Sequence, residues 1–340
     1  MAITTLTLNF IIKYWVVQAL LFMASLGRSS QAAAHQISQL YQFKYPTAIE
    51  DLISLSNGCL LLASSTENTL YYIDPEALFP SAMFITSFPG SEALTAFVAL
   101  PDGRYAVAGS TTKPPNPSGY THIYVFSVDT EVTVGNTTMH ANIVVPDTVR
   151  IDGMTTLPKD PHMILAADAI GGRILRINTA LGNNTVSVAF EHEVLKPSDQ
   201  TNTTAKGIKG LVAKDDYLYF TNGGQGIFGR FPIDENGNST GDAEILARLD
   251  ERLDGYGTSY GGFSFDSQGN AFVAVAPSSV YKITPDGTQW VFARGSDPML
   301  LEPTSAIVSN DGKAVYVSTA GKNTGYPFTG GQLLRVQVAT

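Results

Sequence analysis

The chain has 340 residues, 15% of them charged, with a net charge of −9, 31 glycines and one cysteine. The charge excludes a nucleic-acid partner, since phosphate binding draws on clustered Lys and Arg, and no basic run occurs. One cysteine excludes an intramolecular disulfide, and a chain of this length buries roughly three quarters of its unfolded surface, enough to fold without a structural metal.

In chain order the first element is a leader. Lys13 precedes an apolar run from Tyr14 to Leu26, and the small, polar stretch Arg28 to Ala34 ends in Ala32-Ala33-Ala34, a cleavage site. Residues 1–34 read as a signal peptide, with an uncleaved anchor as the alternative. The apolar run is short for the roughly 20 residues of a bilayer span. The expected location is the secretory pathway, secreted or lumenal, with no stable membrane span after cleavage. Asn136, Asn183, Asn202 and Asn238 head Asn-x-Ser/Thr sequons in loop-like stretches and are the expected glycosylation sites. Cys59 sits in the apolar run Cys59-Leu60-Leu61-Leu62 and reads as a buried, inert thiol.

From residue 35 onward one pattern occurs six times: a short apolar segment, a turn, a strongly β run, a second turn or loop, then another alternating run. The copies begin at IEDLISLSNGCLLLAS, LTAFVALPDGRYAVAGS, IDGMTTLPKDPHMILAAD, IKGLVAKDDYLYFTN, YGGFSFDSQGNAFVAVA and PTSAIVSNDGKAVYVSTAG. The turn signals SNG, PDG, DSQGN and SNDGK fall at one point of the pattern, between two apolar runs, as tight hairpins require. A unit of roughly 50 residues with strand periodicity fits a four-stranded blade. The prediction is an all-β chain whose residues 35–340 form a single six-bladed β-propeller. ISQLYQFKY, residues 37–45, is expected to pair with QLLRVQV and close the ring.

This topology gathers the starts of the innermost strands at one mouth, at Glu50, Leu94, Asp152, Lys209, Gly261 and Thr304. The stretches Thr111 to Tyr120, Glu193 to Lys206, Asp250 to Tyr260 and Gly321 to Gly331 are expected to overhang it, and long loops on a rigid scaffold are where function concentrates. Leu94, Met154, Tyr256, Tyr260, Phe263, Tyr326 and Phe328 are the expected apolar and aromatic lining, with Thr304 beside them. Among five histidines, His122 is the reserve acid or base.

The strings IEDLISLSNGCLLLAS, DGMTTLP, GIKGLVAKDDYLYFTN, GGFSFDSQGNAFVA and PTSA, in this order, resemble the gluconolactonase-like propellers, including senescence-marker-protein lactonases and their secreted fungal relatives. In that superfamily a divalent cation at the channel mouth is held by one Glu, two Asn and one Asp. Carried across, the Glu falls on Glu50, the two Asn on Asp152 and Lys209, and the Asp on Gly261. A hard cation such as calcium takes six to eight oxygens, and here an ammonium and a side-chain-free residue replace two ligands. The resemblance thus implies no cofactor, with calcium as a residual alternative, and Lys209 as a built-in cation flanked by Glu50 and Asp152. The bland reading of the three is an ion pair that only holds strands in register.

No Gly-x-Ser-x-Gly elbow supports a serine hydrolase. The lining suits a largely hydrocarbon small-molecule substrate with one or two oxygens. A narrower similarity, to the hetero-Diels–Alderases of tropolone-sesquiterpenoid pathways, implies an enzyme joining a terpene olefin to a quinone methide. Lys209 would then bind the heterodiene oxygen, and Glu50 or Asp152 would assist loss of water. A metal-dependent lactonase or esterase and a non-catalytic binding propeller are the alternatives.

Overall fold

A computed structural model describes residues 35–111, 120–129, 136–199, 207–250, 257–296 and 298–338. The leader and Asn202 lie outside them. Six four-stranded antiparallel sheets follow one another, each running from an inner to an outer strand in chain order. Strand β1 (Ile37–Gln42) comes first in sequence but belongs to the last sheet. Blade 1 comprises β2 (Ile49–Ser54), β3 (Leu60–Ser64), β4 (Leu70–Ile73) and β5 (Met83–Thr86); blade 2 comprises β6 (Ala93–Ala99), β7 (Arg104–Ser110), β8 (Thr121–Asp129) and β9 (Asn136–Val145). Blade 3 comprises β10 (Ile151–Thr156), β11 (Met163–Asp168), β12 (Arg173–Asn178) and β13 (Thr185–Glu191). Blade 4 comprises β14 (Ile208–Lys214), β15 (Tyr217–Asn222), β16 (Ile227–Pro232) and β17 (Glu244–Arg248). Blade 5 comprises β18 (Ser259–Phe265), β19 (Ala271–Ala276), β20 (Ser279–Ile283) and β21 (Gln289–Arg294). Blade 6 comprises β22 (Pro303–Val308), β23 (Ala314–Thr319) and β24 (Gln332–Gln337), and β1 pairs with β24 as its fourth strand. The six-bladed ring is therefore closed by the two ends of the chain, as the sequence predicts, and the exposed edges of an open array are removed.

The hairpins between first and second strands follow from local chemistry. In the turn of blade 5, Asp266 Oδ1 accepts from the backbone N–H groups of Gln268 and Asn270, and Gly269 supplies φ +81°. Gly312 does the same at φ +72° in blade 6. A Cβ disfavours that left-handed conformation, so glycine belongs there.

The core is divided among the six junctions, one apolar cluster at each. Cys59 is buried in the cluster between blades 1 and 2, and burial pushes its thiol up from the ordinary value. Four residues expected at the mouth also lie in these clusters. Leu94 packs between blades 1 and 2, Met154 between blades 2 and 3, and Tyr260 and Phe263 between blades 4 and 5, none more than 6% exposed. Where a residue points along the channel, its immediate neighbours face the adjoining blades, as Leu94 and Tyr260 do, and Met154 and Phe263, two residues past ring positions, are turned off the channel by the register shifts at Ile151/Gly153 and Tyr260/Phe263.

A bulge at the start of each inner strand decides which residue that is. Register shifts at Ile49/Asp51, Leu94/Ala96, Ile151/Gly153, Ile208/Leu211, Tyr260/Phe263 and Pro303/Ser305 leave Glu50, Thr95, Asp152, Lys209–Gly210, Gly261–Gly262 and Thr304 unpaired. The ring member of blade 2 is accordingly Thr95, in place of Leu94. Hydrogen bonds stitch every junction. Thr95 Oγ1 donates to Ile151 O (2.5 Å), Thr221 Oγ1 to Gly261 O (2.8 Å) and Thr304 Oγ1 to Ile49 O (2.8 Å). At the alternate junctions Asp51 Oδ2 accepts from Phe97 N (2.9 Å), Thr155 Oγ1 from Ala213 N (3.0 Å) and Ser264 Oγ from Val308 N (2.7 Å).

Candidate functional site

The bulges of blades 1, 3 and 4 bring Glu50, Asp152 and Lys209 together at one end of the channel. Blades 1 and 4 stand opposite each other in a six-membered ring, so the contact of Lys209 Nζ with Glu50 Oε1 crosses the channel. Arg150, two residues before Asp152, completes the cluster. Its Nε donates to Asp152 Oδ1, and its Nη2 lies 3.3 Å from Glu50 Oε1. Side-chain exposure runs from 40% at Arg150 through 17% at Lys209 to 9% at Glu50. Lys209 and Glu50 thus form a floor, with the guanidinium above it toward solvent.

The electrostatics keep this arrangement ionised. Burial alone would raise the Glu50 carboxyl, but the Lys209 ammonium and the Arg150 guanidinium hold it at about 2. Burial would likewise lower Lys209, and Glu50 and Asp152 outweigh it, so its pKa is raised. The Arg150 pKa is raised by Asp152 first, against burial, with Glu50 adding to it.

One residue further along β2, Asp51 accepts from the N–H groups of Leu52 and Phe97. Burial pushes its carboxyl up to about 6, against those hydrogen bonds and one from Ser305. The two acids act oppositely on stability. Glu50, depressed in the fold, contributes stability that is present above its unfolded value and lost as pH falls toward 2. Asp51, raised in the fold, contributes stability that is complete below about 4 and lost as pH rises through about 6. Asp51→Asn is therefore expected to remove the fall in stability between about pH 4 and 6, read from urea midpoints across that range. An unchanged slope assigns the fall to another group.

The donor set does not fit calcium. Glu50 Oε1 and Asp152 Oδ1 already face cationic N–H groups, Lys209 brings a positive charge, and Gly261 brings no oxygen from a side chain. Among the described residues no group of three or more His, Cys, Asp or Glu is placed to hold a metal ion.

The other sequence expectations separate clearly. Thr304 is at the ring, but its hydroxyl is engaged with Ile49 O and Ser318 Oγ. Tyr326 lies on the Gly321 to Gly331 loop at 89% exposure, and on that loop Phe328 stacks on Tyr45 at 5.3 Å. Tyr256 lies outside the described residues, as do most of Thr111 to Tyr120 and parts of the two inter-blade stretches. His122 is on β8, away from the inner strands, with Nδ1 2.8 Å from Asn142 Oδ1 and its ring stacked on Tyr124. Asn136 and Asn183 are exposed, whereas the Asn238 amide donates to Asp234 Oδ2 and accepts from Arg176, so glycosylation there requires that turn to open. Arg150 and Asp51 escaped the sequence reading, although each is a charged residue within two positions of an aligned ring residue.

Fold and site define a class: a six-bladed β-propeller whose channel is crossed near one mouth by an ion pair. Solved structures similar to it include a luciferin-regenerating enzyme (15% identity, TM-score 0.64, covering 90% of this chain and 96% of that one). Regucalcin from Agrobacterium tumefaciens, a calcium-binding protein, matches at 15% identity and TM-score 0.60, covering 90% and 96% of the two chains. A PQQ-bound aldose sugar dehydrogenase from Streptomyces coelicolor matches at 15% and 0.59, covering 90% and 99%. At such identity the likeness shows the fold. No protein-family model matches the chain, and no curated protein matches it. Among the described residues no helix is long and apolar enough to cross a membrane.

Proposed function

We propose that the ion-pair mouth is the active site of an enzyme for an oxygen-bearing small molecule, with Lys209 and Arg150 standing in for a metal. One observation carries this: the two carboxylates available to a cation, Glu50 and Asp152, are each engaged by a tethered one. An ammonium donates three N–H bonds and a guanidinium five, so both retain donors for a ligand. Donors fixed in place before reaction stabilise charge that develops on an oxygen without reorganising at that moment.

The finer reading is a cycloaddition between a terpene olefin and a quinone methide. Lys209 and Arg150 donate to the heterodiene oxygen, where electron density builds as the new bonds form. Glu50, held at about 2, is too weak a base to take a proton and orients Lys209 instead. Asp152 is the carboxylate left to assist loss of water from a hydroxylated precursor. Tyr326 and the Tyr45–Phe328 stack offer the olefin an apolar rim. The leader and the exposed sequons at Asn136 and Asn183 support a reading in which this chemistry takes place in the secretory pathway.

The test is to dialyse the protein against chelator, measure bound metal, and offer a hydroxylated tropolone precursor with a terpene olefin. The expected result is cycloadduct at the untreated rate from protein with no stoichiometric metal. Stoichiometric calcium and loss of turnover with chelator would point instead to a lactonase that keeps the calcium binding named for regucalcin. Ligand retention without product would point to a binding propeller.

A further inference from the structure

Apolar side chains form a rim at the outer edge of the junction between blades 6 and 1, on the face opposite the ion pair. Strand β4 runs away from the mouth, so the loop after it, residues 74–82, turns on the far face. At its tip Leu78 and Phe79 are 87% and 83% exposed, two of the three most exposed large apolar side chains among the described residues. Phe84 on β5, 61% exposed, stands opposite Tyr71, which packs against the cluster between blades 6 and 1, so Phe84 faces that junction too. Apolar residues exposed singly are ordinary, whereas several at one edge mark a contact surface.

The tip is held out into solvent. Arg335 Nη2 on β24 donates to Pro75 O (3.1 Å) and contacts Glu76 Oε1, and Tyr316 OH donates to the same oxygen (3.3 Å). Asp74 Oδ1 accepts from Glu76 N (2.9 Å), and Pro75 and Pro80 fix φ on the two flanks. The base of the loop is thus anchored to blade 6, and the two apolar side chains beyond it stay in water at a standing cost. The loop carries no Lys or Arg, and clusters of those residues are what recruit anionic lipid.

The entry of the chain into the ring points to what covers this rim. Ser38 on β1 pairs with Arg335, the residue that grips the loop, so the leader is joined to the propeller beside the rim and on the same far face. The leader's apolar run ends at Leu26, and residues 27–36 span at most about 36 Å when fully extended. A bilayer that takes up the run lies within that reach of the start of β1. We propose that the rim rests on a lipid bilayer with zwitterionic headgroups, burying Leu78, Phe79 and Phe84 at the boundary between headgroups and acyl chains and turning the ion-pair mouth away from the lipid. Interfacial contacts of this kind reach roughly 5–10 Å into that boundary. The proposal concerns contact with lipid alone and does not depend on chemistry at Lys209.

The experiment attaches a polarity-sensitive fluorophore to the full chain carrying Phe79→Cys, the native Cys59 being buried, and adds phosphatidylcholine vesicles whose acyl chains bear a nitroxide. Emission from position 79 is expected to shift to the blue and to be quenched, and added salt is expected to leave the quenching unchanged. The same label on Leu181→Cys, an exposed position on the same face at blade 3, across the ring from blade 6, is expected to show neither effect. Adding Leu78→Asp and Phe84→Asp to the Phe79→Cys chain is expected to abolish the quenching. The proposal is overturned if position 79 is not quenched, if position 181 is quenched as strongly, if salt releases the quenching, or if it survives the added substitutions. A blue shift that needs no lipid also overturns it, assigning the rim to the leader or, with a doubled mass in solution, to a second copy of the chain.

Discussion

Replacing Lys209 with Met is expected to lower turnover by about 10²- to 10³-fold, the range for removing one fixed donor to a developing oxyanion. The same change should destabilise the fold by about 3 kcal/mol, because removing one partner of a buried pair leaves the other charge poorly compensated. Glu50 keeps Arg150 at 3.3 Å, so the variant still folds at neutral pH. Its acid behaviour changes in a defined direction. With the ammonium gone, the Glu50 pKa climbs from about 2 toward or above its ordinary value, and the stability otherwise lost as pH falls through that window disappears from the curve.

The double variant Glu50→Gln with Lys209→Met separates the two roles. A neutral pair of similar shape removes both desolvated charges, so most of the stability should return. Turnover should not. If the double variant regains turnover along with stability, the pair is a strut that holds the inner strands and the mouth has no chemistry of its own. Denaturant midpoints and single-turnover rates on the three proteins distinguish these outcomes.

Gly153→Ala is expected to have the largest effect on stability. A Cβ built at Gly153 would lie 2.0 Å from Lys209 O and 3.1 Å from Leu211 N, both backbone atoms of the neighbouring inner strand. Neither can swing away as a side-chain tip would, so β10 and β14 must part. Overpacking of ordinary core sites costs about 1–3 kcal/mol, and a backbone contact at this distance should reach or exceed the top of that range. Because those strands carry Asp152 and Lys209, the Arg150–Asp152 pair should also move away from the Lys209–Glu50 pair. Gly312→Ala is the control: nothing lies within 4 Å of its Cβ, and only its φ of +72° opposes the change. Equal losses in the two variants would show that close inter-blade approach is not what Gly153 serves.

The architecture was legible because its determinants are local and repeated. Turn residues such as those of DSQGN recur at one point of a repeat, and each copy can be checked against five others. The ring closure of ISQLYQFKY with QLLRVQV was legible for a related reason, since a closed propeller leaves one strand without a partner unless the chain ends meet. The lining of the mouth was not. Leu94 and Tyr260 precede ring positions by one residue, an offset that in a strand moves a side chain from channel to core, and Met154 and Phe263 follow ring positions by two, with a register shift between that has the same effect. A one-residue bulge reverses the assignment, as Thr95 shows, and bulges leave no composition signal of their own.

The sequence by itself thus determined the ring of six four-stranded blades, its closure, and the residue types at five of its six inner positions. Only the tertiary structure decided what those residues do to one another. Glu50 and Lys209 are far apart in the chain and meet because blades 1 and 4 face each other across the channel. Arg150 joins them because the turn into β10 directs its side chain over the same mouth. The lone cation that the resemblance implied became a network of two cations and two carboxylates, since pairing across a channel depends on where strands end in space.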